Sequence, residues 1–385
     1  MITRIKNAVF VTDKIEDVKY LYITDDKISA LTNDELPFDE EIDANGRYVS
    51  AGFIEIHSHG AGGYSFCDGK TEDIFRAAKI HASHGTTTIY PTSLSLALGD
   101  IQAYIETVRE AMNANCPGQP HIAGAHLEGP YFSYGQRGAQ NPDFIKNPVK
   151  EDYSALVEGN EDVVKRISFA PELEGSLEFC EYLQKKGVVA SFAHTEGIYE
   201  ELIPAIDRGC TLATHLYSGM NGVTRRNAYR KLGAVETALL DDRVSVEVIA
   251  DGHHLPKELL QLIFKIKGTD KICLVTDSMR AAGLGDGPSE IGGLECVVKG
   301  GVALLPDLSC FAGSVATSDR LIRVMYKTVG VSLGDAIKMA TETPARVMGI
   351  SDRGRLEKGC YADVIFFDDD INVERVFIEG KEFIA

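Results

Sequence analysis

From residue 53 onward the chain repeats one pattern. An apolar run of strand length gives way to a polar loop, an amphipathic helix and another apolar run. The runs fall at 53–59, 86–91, 121–127, 166–171, 188–194, 211–216, 244–251 and 272–277. Helical periodicity lies between them at 71–83, 99–113, 175–186, 198–209 and 256–267. Strands that are apolar on both faces need cover on both faces, and alternation with helices supplies it as a parallel sheet. Eight such runs predict an α/β protein built as a closed (β/α)8 TIM-type barrel, with its active site at the C-terminal strand ends. A doubly wound open sheet is the alternative, but no Gly-rich dinucleotide turn follows the first run.

The flanking segments read differently. Before residue 50 short β-like runs (8–11, 20–23, 28–31) alternate with polar turns and predict a small antiparallel sheet. After 280, runs at 294–298 and 301–305 predict a hairpin inserted in the last barrel segment, followed by helices near 314–329 and 333–342. The tail is β again at 362–367 and 373–380. We therefore expect a small β-sandwich domain built from both termini, 1–51 and 345–385, and a metal-dependent catalytic barrel over 52–344.

Metal chemistry is suggested by what stands at the predicted strand ends. The first strand ends in His57-Ser58-His59-Gly60, and a period of two puts both imidazoles on one face. Further strands end in His126-Leu127-Glu128, Ala193-His194-Thr195, Thr214-His215-Leu216 and Thr276-Asp277-Ser278. In a barrel all these ends share one mouth. His57, His59, Glu128, His194, His215 and Asp277 can then converge as a ligand set for a divalent transition metal, zinc or iron, with a position left for water. His81, His84 and His121 lie away from these ends and are read as structural.

Charge and cysteine usage narrow the setting. The net charge of −18 argues against nucleic acid or an anionic membrane as partner. No apolar stretch is long enough for a membrane span and the start does not resemble a signal peptide. The eight cysteines are scattered without a C-x-x-C pair, which predicts reduced thiols in a cytoplasmic protein. Against the acidic background, residues 215–231 hold Arg225, Arg226, Arg230 and Lys231 and no carboxylate. That stretch follows a ligand strand, and an arginine fork there suits a phosphate.

Taken together, the motifs resemble the amidohydrolase superfamily, and within it the deacetylases of phosphorylated amino sugars. The resemblance runs through Ser50-Ala51-Gly52-Phe53-Ile54, His84-Gly85-Thr86-Thr87-Thr88, His126-Leu127-Glu128-Gly129-Pro130, Ala250-Asp251-Gly252-His253-His254 and Thr343-Pro344-Ala345-Arg346, and covers almost the whole chain. It implies hydrolysis of N-acetylglucosamine 6-phosphate to glucosamine 6-phosphate and acetate. Glu128, His194 and His215 would bind a primary metal and His57 and His59 would allow a second. Asp277 would act as general base and then general acid. Arg226 and His254 would hold the phosphate with the backbone at Ser218 and Gly219. Ala139, Gln140, Phe311, Ala312 and Gly313 would border the sugar pocket. The resemblance also implies a homodimer. Ser218-Gly219, Gln140 and Met279-Arg280 depart from the usual pattern of such enzymes. Deacylation of N-acetylgalactosamine 6-phosphate or hydrolysis of a cyclic amide is the alternative. Weaker ones are an aminohydrolase acting on a nucleobase and a barrel that has lost its site.

Overall fold

The computed structural model describes residues 1–384. Among these, eight parallel strands follow one another around a TIM-type barrel. They are β1 (Phe53–Ser58), β2 (Thr86–Pro91), β3 (Ala125–Glu128), β4 (Val164–Phe169), β5 (Val189–Phe192), β6 (Leu212–Ala213), β7 (Ser245–Val248) and β8 (Ile272–Leu274). β1 pairs with β2, and β3 to β8 pair in sequence order. Single parallel bridges, Thr92 to His126 and Ser58 to Ser278, bring β2 beside β3 and β8 beside β1.

Helices cover the outside because one face of each is apolar. In Thr71–Ser83, Ile74, Ala77, Ala78, His81 and Ala82 are buried while Glu72, Arg76 and Lys79 face water. That is the spacing of a core-facing helical stripe. Leu98–Asn113, Ser176–Lys186, Tyr199–Ile206 and Lys257–Lys267 occupy the other helical segments expected from periodicity. Two short helices, Lys150–Val157 and Ala234–Leu240, were not foreseen. The helix expected near 314–329 begins at Ser318 and widens into π-helical turns at Val324–Val329.

The third apolar run is broken: His121–Ile122 pairs with β2, and β3 starts only at Ala125. Gly124, at φ +143, stands at the break, where an added Cβ would lie 2.9 Å from the Val163 carbonyl oxygen. Several strands also stop short of their expected ends. His194, His215 and Asp277 have φ of 45, 34 and 47°, outside the extended region, so pairing ends before them and they turn out of the sheet.

The terminal segments form two sheets where a single antiparallel one was expected for the first 50 residues. One holds Ile2–Lys6, Tyr20–Thr24, Lys27–Thr32 and Glu40–Asp43. The other holds Val9–Val11, Tyr48–Ala51, Val364–Phe367, Val373–Ile378 and Lys381–Glu382. Two pairings, Ile2–Lys6 with Glu40–Asp43 and Val9–Val11 with Tyr48–Ala51, are parallel because the chain returns through long connections rather than hairpins. The two sheets share a core that includes Ile5, Phe10, Leu21, Val49, Val364 and Phe366. The inserted β segment has a strand beyond the expected hairpin. Gly287–Ile291, Leu294–Lys299 and Val302–Leu304 form an antiparallel sheet packed through Ile291, Cys296 and Val298 on Leu94 and Met279.

Candidate active site

Polar side chains line the inside of the barrel and bond to one another across strands. The parity of each strand explains this. Residues 55 and 57, 126 and 128, and 166 and 168 alternate with apolar neighbours that serve the outer layer. At the mouth the carboxylate of Glu128 is the common partner. Its Oε1 lies 2.9 Å from His215 Nε2, 3.3 Å from His194 Nε2 and 3.6 Å from His57 Nε2. Its Oε2 lies 3.3 Å from His59 Nε2 and accepts a 2.6 Å hydrogen bond from Gln140 Nε2. Asp277 Oδ1 stands 3.2 Å from His59 Nε2 and 3.4 Å from His57 Nε2. The structure thus brings the six residues expected at the mouth into one cluster.

Two candidate ligand groups share Glu128: His57 and His59 with Glu128, and Glu128 with His194 and His215. Within each, donor atoms lie within 4.8 Å of one another. All five residues are buried. Among the described residues His57 Nε2 is buried with no hydrogen-bond partner, although it faces two carboxylates. A bare imidazole nitrogen beside converging carboxylates is the arrangement a divalent cation satisfies. The donor set, imidazole with carboxylate oxygen, fits zinc or iron.

The electrostatics follow from this crowding. Burial alone would raise the Glu128 carboxyl, but His57, His194, His215 and His59 reverse that and hold it well below the ordinary range. Asp277 is likewise lowered, with His57 and His59 outweighing its burial. Burial works against a proton on His59, yet Asp277 and Glu128 raise it to about 10. A metal ion at His59 would therefore have to displace its proton.

A second layer holds these groups in place. His194 Nδ1 bonds the Gln136 carbonyl at 2.7 Å, which directs Nε2 to Glu128. Gly219 makes room for that ring, since at φ +57 a Cβ would lie 2.6 Å from His194 Nδ1. Glu55 accepts from the backbone of His57 at 2.9 Å and of Thr276 at 3.0 Å. Its carboxyl, buried without a cation beside it, is pushed up to about 7. His126 sits between Ser168 Oγ (2.7 Å) and Thr92 Oγ1 (3.2 Å) with its ring against His57, and burial keeps it neutral. Glu247 bonds His57 Nδ1 at 3.0 Å and the His215 backbone N–H at 3.2 Å, and pairs with the buried Arg166. Burial would raise Glu247, but Arg166 and His57 hold it down to about 2. Sequence reasoning missed Glu55, His126, Arg166 and Glu247. Their parity with known mouth residues, or a charge inside an apolar strand, was the available signal.

Above the cluster opens a cavity of about 450 Å³. Ala139, Gln140, Ser218, Gly219 and His254 line it, as do Phe311 and Gly313. Leu94, Ile291 and Leu304 add an apolar wall. His254 stacks on Phe311 with ring centres 4.3 Å apart, and its Nδ1 is held by Asp251 at 2.8 Å. Three expected residues are placed otherwise. Ala312 is buried behind the wall in the core of the inserted sheet. The Ser218 N–H is already donated to the His215 carbonyl at 2.9 Å. Arg226 stands on an exposed hairpin, Thr224–Arg226 with Tyr229–Lys231, and pairs with Glu201 at 3.4 Å instead of lining the cavity.

The chain is similar to known proteins along nearly its whole length. Residues 48–383 match the model of the amidohydrolase family. The chain is 32% identical over 386 residues to an N-acetylglucosamine-6-phosphate deacetylase of Bacillus subtilis (strain 168), covering 98% of this chain and 96% of that one. It is 30% identical over 330 residues to an N-acetylgalactosamine-6-phosphate deacetylase of Escherichia coli O157:H7, covering 86% of each. A mutant N-acetyl-D-glucosamine-6-phosphate deacetylase of Mycobacterium smegmatis, solved in complex with N-acetyl-D-glucosamine-6-phosphate, superposes with a TM-score of 0.91 at 29% identity. That match covers 100% of this chain and 99% of that one.

Proposed function

The chain belongs to the amidohydrolase family, and we propose that it is a metal-dependent deacetylase converting N-acetylglucosamine 6-phosphate to glucosamine 6-phosphate and acetate. One observation carries the reading: Glu128 is shared by two histidine pairs, with Asp277 within 3.4 Å of His57 and His59, at the floor of a cavity of about 450 Å³. Glu128, His194 and His215 would hold one ion, and His57 and His59 with Glu128 a second. A bound divalent metal would supply Lewis acidity, which makes water acidic near neutral pH and polarises a carbonyl.

The chain's own groups do the rest. Asp277, kept ionised beside His57 and His59, accepts a proton from the attacking water and later returns it to the departing amine nitrogen. The Leu94, Ile291 and Leu304 wall excludes water around the acetyl group. His254, oriented by Asp251, offers Nε2 to the sugar phosphate. Arg226, exposed on its hairpin and away from its own chain's cavity, would serve as the phosphate-binding group within a homodimer. We assign 52–344 to the catalytic barrel, and 1–51 with 345–385 to a small β-sandwich domain, supported by the separate core around Phe10, Val49 and Phe366.

The test is a panel of N-acetylated hexosamines, with and without a 6-phosphate, incubated with metal-replete protein while released acetate is measured. N-acetylglucosamine 6-phosphate should turn over fastest, ahead of its galactosamine counterpart and of the neutral sugars. Faster release from a neutral sugar, or none from any, would defeat the proposal. Asp277→Asn should lower kcat by about 10²-fold or more with metal content nearly unchanged.

A further inference from the structure

The buried pair Arg166–Glu247 lies beneath the metal cluster and touches no solvent. Glu247 Oε2 is 3.0 Å from His57 Nδ1 and also accepts the His215 backbone N–H at 3.2 Å. One carboxylate oxygen therefore grips the side chain of one candidate ligand and the main chain of another. An ionised carboxylate only accepts hydrogen bonds, so the proton on His57 must sit at Nδ1. Nε2 is thereby turned toward Glu128 and Asp277, where it has no hydrogen-bond partner among the described residues. His215 is the residue with φ 34°, a backbone that needs outside support.

Arg166 makes this possible. A buried carboxylate without a cation would take up a proton and become a donor. The guanidinium faces Glu247 and directs three further donors to Thr214 Oγ1 (2.8 Å), Ser191 Oγ (3.0 Å) and the Ile56 carbonyl (3.3 Å). Those partners lie on or next to β1, β5 and β6, so the arginine is fixed from several directions. A pair that merely filled the barrel would have no reason to direct one oxygen at two ligand residues.

We propose that Arg166 and Glu247 are positioning residues. They set the tautomer of His57 and the main chain of His215, and thereby the affinity of the cluster for a divalent transition metal. The inference rests on the metal reading above, and the experiment separates the two. Metal-free, full-length protein is titrated with Zn²⁺ against a chromogenic chelator, for wild type, His57→Asn, Glu247→Gln and Glu247→Asp. Wild type should bind zinc and His57→Asn should bind it more weakly. Both Glu247 variants should lose about 10–100-fold in zinc affinity. Glu247→Asp keeps a charge beside Arg166 while withdrawing the oxygen from His57, so it serves if Glu247→Gln fails to fold. In ¹H–¹⁵N spectra of the metal-free protein, a protected downfield proton on His57 Nδ1 should be present in wild type and lost in Glu247→Asp.

A wild type that binds no zinc overturns the metal reading and this inference with it, whereas a His57→Asn variant that binds zinc equally well overturns the ligand role of His57 and this inference alone. A folded Glu247→Asp variant within twofold of wild type in zinc affinity overturns the positioning role alone. If neither variant folds, the wild-type spectrum decides: a His57 proton on Nε2 rather than Nδ1 overturns it.

Discussion

Two arginine–glutamate pairs in this molecule have the same chemistry and opposite surroundings. Arg166–Glu247 lies inside the barrel with neither side chain exposed. Arg226–Glu201 lies on the outer rim of the molecule, on an exposed hairpin that does not line the cavity, with the arginine side chain 53% exposed and 3.4 Å from its partner. Inside, neither ion can be exchanged for water, so the pair holds its geometry and can dictate that of its neighbours. On the rim, water and salt screen the attraction and the pair is worth little. An exposed arginine so weakly held is free to trade a carboxylate for a phosphate. The difference teaches that the floor of the site is built for placement and the exposed hairpin for exchange.

The comparison can be broken most severely at the floor. Glu128→Ala removes the group both ligand sets share, and should abolish bound metal and deacetylation together, read by elemental analysis and acetate release. Arg166→Met leaves Glu247 buried without its cation. It should lower unfolding free energy by about 3–5 kcal/mol in denaturant titration. A loss below about 1 kcal/mol would place that pair in the same class as the rim pair.

At the rim the effect should be selective rather than large. Arg226→Ala should raise KM for the 6-phosphorylated sugar by about 1.5–3 kcal/mol equivalents and leave a neutral analogue nearly unchanged. Equal loss on both substrates would remove the phosphate role.

A third pair sharpens the scale between these extremes. Arg353 is nearly buried and bonds Asp363 at 2.6 Å and also Glu379. Hydrogen bonding from His121, then Arg353, outweighs burial and holds the Glu379 carboxyl down to about 2. A lowered folded-state value means stability present above the ordinary carboxyl pKa and lost as pH falls from there toward 2. Glu379→Gln should flatten that acid limb modestly in melting temperatures taken from pH 6 to 3. An unchanged limb would show that the pair behaves as the rim pair does.

Much of the site was legible because strand ends in a βα repeat must meet. The pairs 57/59 and 126/128 share faces by a period of two, and His194, His215 and Asp277 close their strands. Arg166 and Glu247 were hidden because a charge inside an apolar strand looks the same whether it faces a partner or disrupts the run. Arg226 was visible as a charge but not as a position. Its hairpin turns at Asn227 and Ala228, both at positive φ, and nothing in the local residues says where such a hairpin leans. Gly219 was seen as an open amide, whereas its closest constraint is the ring of His194.

By itself, then, the sequence determined the βα repeat, the ends of its strands and the kinds of groups gathered there. Those depend on period and order, which are local properties of a chain. Only the tertiary structure decided which arginine became an internal support and which remained at the surface. Arg166 and Glu247 stand 81 positions apart, and Arg226 and Glu201 stand 25 apart. What separates the pairs is the low dielectric that eight strands create by closing around one of them, and no short stretch of residues carries that property.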